Sequence, residues 1–273
     1  MSGEQERLEP LLQEVYAAVA DRPGRTSSCR AIRLAAEQCG LGRRVARQAV
    51  QELVTAGVLR FVDDCGVSFL EKNFLGRFRL SPRVMISTVA GAVPPSPDAV
   101  MVRLLPGAAF GDCRHPTTRL CVRLLDQALQ EYGRPEVMRT GLDIGTGSGI
   151  LALAAAHLGV PQVVALDIDP CARREARENA AANGLAARIE VRNLPLPVRP
   201  AGFSLILANL RPPTLKSLAA AIAENTAAGG LAILSGMRTA EAAGVLDVFQ
   251  GPFLCRARAA EDDWCALVLQ RTV

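Results

Sequence analysis

The chain of 273 residues has two lysines (Lys72, Lys216), two histidines (His115, His157), one tryptophan (Trp264) and 4% aromatics. None of its eight cysteines stands in a Cys-x-x-Cys pair, so a structural zinc site or a disulfide framework is not expected, and scattered thiols suit a reducing cytoplasm. No run of 18 apolar residues occurs, and the greasiest stretch, 150–168, is broken by His157, Gly159, Pro161 and Asp167. Membrane spanning is excluded on that ground. The first ten residues are polar and acid-rich, unlike a targeting segment. Net charge is only +4, too little for bulk electrostatics to dominate. What the chain does have is apolar material, 49% against 21% charged, enough for one large core or two smaller ones.

Residues 1–75 carry helical periodicity followed by strand alternation. Leu8, Leu11, Leu12, Val15 and Tyr16 mark a first amphipathic helix. Ser27 or Ser28 caps a second helix that ends at Gly40. A third helix runs from Arg43 to Ala56 with Val45, Ala46, Ala49, Val50 and Leu53 as its buried stripe and Gly57 as its stop. Strands at 58–62 and 67–70 flank the turn Asp63-Asp64-Cys65-Gly66. Three helices and a hairpin resemble a winged helix-turn-helix. Arg43, Arg44 and Arg47 then fall where groove contacts are made, but residues 1–80 are only +2 net. Nucleic-acid binding is therefore weighed below dimerisation or substrate docking. Residues 76–98, rich in Pro and Gly, read as a connector.

From residue 99 apolar strands alternate with helices. Strands are expected at 138–144, 162–168, 188–192, 204–208, 231–235 and 264–270, and helices at 150–158, 170–182 and 214–224. The pattern predicts an α/β doubly wound Rossmann-like sheet with helices on both faces.

The chemistry concentrates at Leu142-Asp143-Ile144-Gly145-Thr146-Gly147-Ser148-Gly149-Ile150. A strand ends in a glycine loop and a helix starts at once, the place where open α/β sheets bind nucleotides. The dinucleotide spacing is not met, because Ile150 replaces the third glycine and Asp143 precedes the first. A carboxylate there repels a diphosphate and suits the ammonium of an amino-acid tail. The ligand implied is S-adenosyl-L-methionine. Asp167 ends the next strand 22 residues after Gly145, where an acid grips ribose hydroxyls, while Asp169 before Pro170 fits a helix cap.

Further segments are Pro106-Gly107-Ala108-Ala109-Phe110-Gly111, His115-Pro116-Thr117-Thr118, Asp167-Ile168-Asp169-Pro170, Ala208-Asn209-Leu210, Gly229-Gly230-Leu231 and Trp264-Cys265. In this order residues 99–271 resemble the PrmA-type methyltransferases of a large-subunit ribosomal protein. The resemblance implies a seven-stranded methyltransferase sheet. It implies S-adenosylmethionine contacts at Thr118, Gly145, Asp167 and Asn209, and a closing loop at Phe110 and Gly111. With Asp143 and Gly147 from the loop itself, these form the candidate cofactor site. Asn209 is the candidate catalytic residue, its amide oxygen orienting an amine. Two features depart from the family: Asp112-Cys113-Arg114 after the Phe-Gly loop, and an N-terminal region that reads as a winged helix.

The expected activity is N-methylation of a protein amine, of the ribosomal-protein type. The alternatives are a small-molecule N- or O-methyltransferase whose N-terminal domain dimerises, and a regulator that senses S-adenosylmethionine. His115 reads as a cap or packing residue, His157 as half-buried, Arg211 as a possible contact to an anionic acceptor, Pro212-Pro213 as a stiff loop and Trp264 as core filling.

Overall fold

The computed structural model describes residues 10–20, 26–64, 67–73, 76–89, 96–107, 109–111, 113–133, 139–193 and 202–272. Leu8, Cys65, Gly66, Ala108, Asp112 and Met138 lie outside them. The chain divides into two compact units, Met1–Phe78 and Arg79–Val273.

The first unit contains α1 (Pro10–Ala20), β1 (Thr26–Ser27), α2 (Ser28–Gln38), α3 (Arg43–Thr55), β2 (Leu59–Asp64) and β3 (Val67–Lys72). The strands form one antiparallel sheet in the order β1-β3-β2. Val15, Val19, Ala31, Ala35, Ala46, Ala49, Val50 and Leu53 pack into its core with Leu59 and Leu70. Gly57 takes φ of +73° after α3, the left-handed stop expected of it, and Gly40, read as the end of the second helix, takes +63°. Two expected core positions are not core. Val45 is 46% exposed, because helical phase puts it about 90° from the stripe centred between Ala46 and Leu53. Leu11 is exposed likewise, while Val15, Ala18 and Val19 carry the contact of α1. Ser27 occupies the cap position of α2, but its side chain makes no capping bond.

The strand β4 (Arg77–Arg79) lies at the junction of the units. In the second unit β5 (Val84–Ser87) falls inside the stretch expected to be an irregular connector, and it pairs in parallel with β6 (Val100–Arg103). Its backbone is fixed from α4 (Pro116–Glu131): the Arg83 amide and Nε donate to the two Asp126 carboxylate oxygens at 3.1 and 2.6 Å.

The main sheet is built from β7 (Thr140–Ile144), α5 (Ile150–His157), β8 (Gln162–Leu166), α6 (Pro170–Ala182), β9 (Ile189–Arg192), β10 (Phe203–Asn209), α7 (Pro212–Asn225), β11 (Thr226–Arg238), α8 (Ala242–Phe249), β12 (Phe253–Glu261) and β13 (Trp264–Arg271). Its seven strands run in the order β12-β13-β11-β10-β7-β8-β9. The five from β9 to β11 are parallel, and β13 is antiparallel to both its neighbours. The order reverses between β7 and β10, so the crevice beyond their carboxyl ends is the switch point where such sheets bind ligands. The expected doubly wound sheet is thus present. The α6 boundaries agree with the sequence because Asp169 caps the helix, accepting from Cys171 N at 2.8 Å, and Pro170 opens it. Pro212 and Pro213 are not loop but the first turn of α7, where an amide hydrogen is not required.

Candidate functional site

At the carboxyl end of β7 the chain turns through Gly145, Gly147 and Gly149 with φ of +74°, +56° and +86°, conformations glycine adopts without steric cost. Neighbours press on this turn. A Cβ on Gly145 would meet Leu210 Cδ2 at 2.6 Å, and one on Gly147 would run into the carbonyl of Phe110. The glycines therefore let both the Phe110 loop and the Asn209-Leu210 turn close on the end of β7.

Every amide of this loop is already used. Gly145 N and Thr146 N donate to Leu166 O, Gly147 N to Asp167 Oδ2, Ser148 N to Phe110 O and Gly149 N to Thr146 O, all at 2.8–2.9 Å. A phosphate cradle needs such amides aimed at the anion. The loop offers it none, and two carboxylates stand beside it.

Asp143 is 1% exposed. Its Oδ2 accepts from Thr146 Oγ1 at 2.6 Å and from Ala152 N at 3.2 Å, while Oδ1 has no partner among the described residues. Burial, reinforced by the charge of Asp167, pushes its carboxyl up to about 7 against the pull of those two hydrogen bonds. A buried carboxylate oxygen left open is costly unless a donor or cation meets it. Thr118, buried in the first turn of α4, has an equally unpartnered hydroxyl. Both orphans suit the polar tail of a nucleoside amino acid. Asp167 ends half-buried beyond β8, and each of its oxygens accepts one backbone amide, Gly147 N and Asp169 N, both at 2.9 Å. Each retains a lone pair for a hydroxyl donor.

The Phe110–Gly111 loop is held from two sides. Asn179 on α6 accepts Leu105 N and donates to Ser148 O, both at 2.8 Å, and Glu175 accepts Ala109 N at 3.0 Å. Ser148 Oγ donates to Gly111 O at 3.1 Å. Farther on, Arg119 is buried, donates to the carbonyls of Cys113 and Arg114 at 2.8 and 2.6 Å, and pairs with Glu261 at the end of β12. Cys113, whose carbonyl this clamp holds, takes a left-handed φ of +68°. Sequence reading missed Thr146, Ser148, Asn179 and Arg119. The last two show no motif, and only the fold brings them to backbone atoms 31 or 74 residues, and 5 or 6 residues, away.

Asn209 is the last residue of β10, paired in register with Ser235. Its side-chain amide has no hydrogen-bond partner among the described residues. Gly236, φ +92°, lies against the Leu210 carbonyl and marks a bulge in β11. His115 caps α4: its Nδ1 lies 2.7 Å from Thr117 Oγ1 and accepts from Thr117 N at 3.3 Å. Its ring stands between Phe110 (5.3 Å) and Trp264 (4.5 Å), and Arg238 lies 3.9 Å above Trp264. Trp264 is thus not core: it is half-buried in a stack beside Arg238, paired with it across β11 and β13. His157 is half-buried and bonded to Asn183. Arg211 is exposed at the cap of α7. No group of three His, Cys, Asp or Glu suited to a metal occurs among the described residues.

Comparison with known proteins agrees with this geometry. Residues 70–272 match the family model described as ribosomal protein L11 methyltransferase (PrmA). A ribosomal protein L11 methyltransferase of Pelobacter propionicus is 39% identical over 199 residues, covering 71% of this chain and 62% of that protein. One of Geobacter sulfurreducens is 41% identical over 191 residues, covering 70% and 61%. The chain thus spans about three-fifths of the length of these relatives. A crystal structure of a ribosomal protein L11 methylase from Lactobacillus delbrueckii subsp. bulgaricus superposes with a TM-score of 0.63 at 30% identity, covering 72% of this chain and all of that one. The family model covers well over half of the chain, and it meets the glycine turn closed by Phe110, Asp167 and Leu210 described above: the chain belongs to the ribosomal protein L11 methyltransferase (PrmA) family.

Proposed function

We propose that the chain is an S-adenosylmethionine-dependent methyltransferase acting on a protein amine, with ribosomal protein L11 as the acceptor its relatives' names point to. The observation that carries the reading is the unpartnered Asn209 amide at the switch point, one residue from a leucine packed on the glycine loop. The N-terminal unit is proposed to be a winged helix, a reading supported by its order of helix, short strand, two helices and hairpin.

Asp143 Oδ1 and Thr118 Oγ1 would receive the amino-acid tail, Asp167 the ribose, and Phe110 with Gly111 would cover the site. Bound S-adenosylmethionine supplies a methyl already activated on a sulfonium. The protein's task is alignment, which can contribute roughly 7–11 kcal/mol to such a displacement. Asn209 Oδ1 and the Leu210 carbonyl accept the N–H groups of a neutral amine and aim its lone pair at the methyl. No general base is required once the amine arrives uncharged.

The test is transfer of labelled methyl groups to purified ribosomal protein L11 by the full chain. Label in that protein is expected. Asn209→Ala should lower the transfer rate on the order of 10²-fold, the cost of misplacing a reacting group, while the cofactor dissociation constant moves only a few-fold. Normal transfer by Asn209→Ala would refute the assignment. Label only in small molecules would move the acceptor to that class.

A further inference from the structure

The charge of the chain is unevenly placed. Between Ser28 and Arg60 there are six arginines and two glutamates, net +4, as much as the whole protein carries. Most acids of the N-terminal region stand elsewhere, at 4–21 and 63–71. In the structure the basic stretch is α2, α3 and the start of β2. Arg30, Arg33, Arg43, Arg44 and Arg47 are all exposed, and none has a hydrogen-bond or ion-pair partner among the described residues. A solvated helix face of this kind normally intersperses acids three or four residues away. Among the described residues the only such contact of α3 is Gln48 to Glu52 at 3.0 Å.

The phase of α3 organises this charge. Ala46, Ala49, Val50 and Leu53 face the core. Opposite them, at spacings of three, four, seven and eleven, stand Arg44, Arg47, Gln48, Gln51 and Thr55, lining an open groove of about 720 Å³ together with Leu12 of α1, Ala56 and one acid, Glu52, which accepts from Gln48. The five outward side chains all carry hydrogen-bond donors, and their type is informative. Arginine pairs with the O6 and N7 edge of guanine, and glutamine with the N6 and N7 edge of adenine. A helix about 10–12 Å wide fits the B-form major groove of about 12 Å, whereas the deep, narrow major groove of A-form RNA refuses it.

We propose that α3 is a duplex-DNA-binding helix, its outward face of Arg44, Arg47, Gln48, Gln51 and Thr55 entering the major groove, with Arg43 on a flanking phosphate. This function is separate from methyl transfer and does not depend on it. The low net charge of residues 1–80 does not oppose it, since the field that matters is that of the face presented to DNA.

The experiment is fluorescence anisotropy of the full chain with a labelled B-DNA duplex of mixed sequence, about 30 base pairs long, and an RNA duplex of the same sequence, at roughly 50 and 200 mM salt. DNA binding that weakens with salt is expected, with RNA bound more weakly. Arg44→Glu with Arg47→Glu should weaken DNA binding on the order of tenfold or more per arginine. Arg256→Glu with Arg258→Glu, the same change of net charge on the exposed edge strand β12, should leave it within a few-fold. Circular dichroism of the α3 variant checks that its helices persist; if they do not, Arg44→Gln with Arg47→Gln is the variant read. The proposal fails if no DNA binds at the lower salt, if the RNA duplex binds as well or better, or if the two pairs of reversals weaken binding equally.

Discussion

The C-terminal unit and the N-terminal unit constrain their sequences by different means. Around β7, residue identity is set by what a side chain would strike: the Phe110 carbonyl at Gly147, Leu210 at Gly145, the α6 backbone at Gly149. One buried carboxylate, Asp143, is held with an oxygen open. The N-terminal unit has no such site among its described residues. Its interior is alanine, valine and leucine at helical spacing, and any residue of that size would serve. One unit writes its chemistry into individual positions; the other writes size and polarity, and keeps its specific information on the outward face of α3.

That contrast can be broken by exchanging the perturbations. Leu53→Ala in the N-terminal core is expected to cost about 2–5 kcal/mol, lowering the melting transition of that unit. Cofactor affinity measured at 20 °C should not change; a parallel loss would mean that the two units do not behave independently. Gly147→Ala should do the reverse. Left-handed backbone costs a residue with Cβ about 1–2 kcal/mol, and the clash with Phe110 adds to it. Cofactor affinity should fall about tenfold or more while the N-terminal transition stays in place. Unchanged affinity would refute the close approach. The smallest effect is expected at Glu178→Ala, which removes an exposed pair with Arg174 and should cost no more than about 0.5 kcal/mol. A loss well above that would contradict the reading of this pair as a solvent-screened surface contact.

Legibility followed the same division. The glycine loop, Asp169-Pro170 and the Asn209 turn were readable because each couples a rare residue pattern to a strand end. The α6 boundaries followed from cap chemistry alone. Strand β12 was missed: it lies at the sheet edge with alternate residues exposed, and Arg256 and Arg258 interrupt any apolar run. Helix α8 was missed because Gly244 sits inside it. Strand β5 was hidden by the prolines that follow it. Trp264 reads as core on size, yet its partners are Arg238 and His115, which no spacing in the sequence brings together. Val45 failed by one position of helical phase.

Asp143, buried with one oxygen open, is proposed to receive the ammonium group of the cofactor's tail. Its carboxyl is raised in the folded protein, so between about pH 4 and pH 7 the folded state holds a proton that the unfolded state has lost. Stability from this group therefore falls as pH rises through that window and is level above it. A ligand bearing an ammonium group needs the ionised form and must expel the proton below pH 7. Titration calorimetry with S-adenosylmethionine at pH 6 and pH 8, in buffers of different ionisation enthalpy, reads this directly. Expected are proton release at pH 6, affinity weakening by up to about tenfold per pH unit below 7, and neither effect in Asp143→Asn, which binds weakly at both. Tight binding with no proton release in the native chain, or binding of a dinucleotide in place of S-adenosylmethionine, would contradict it.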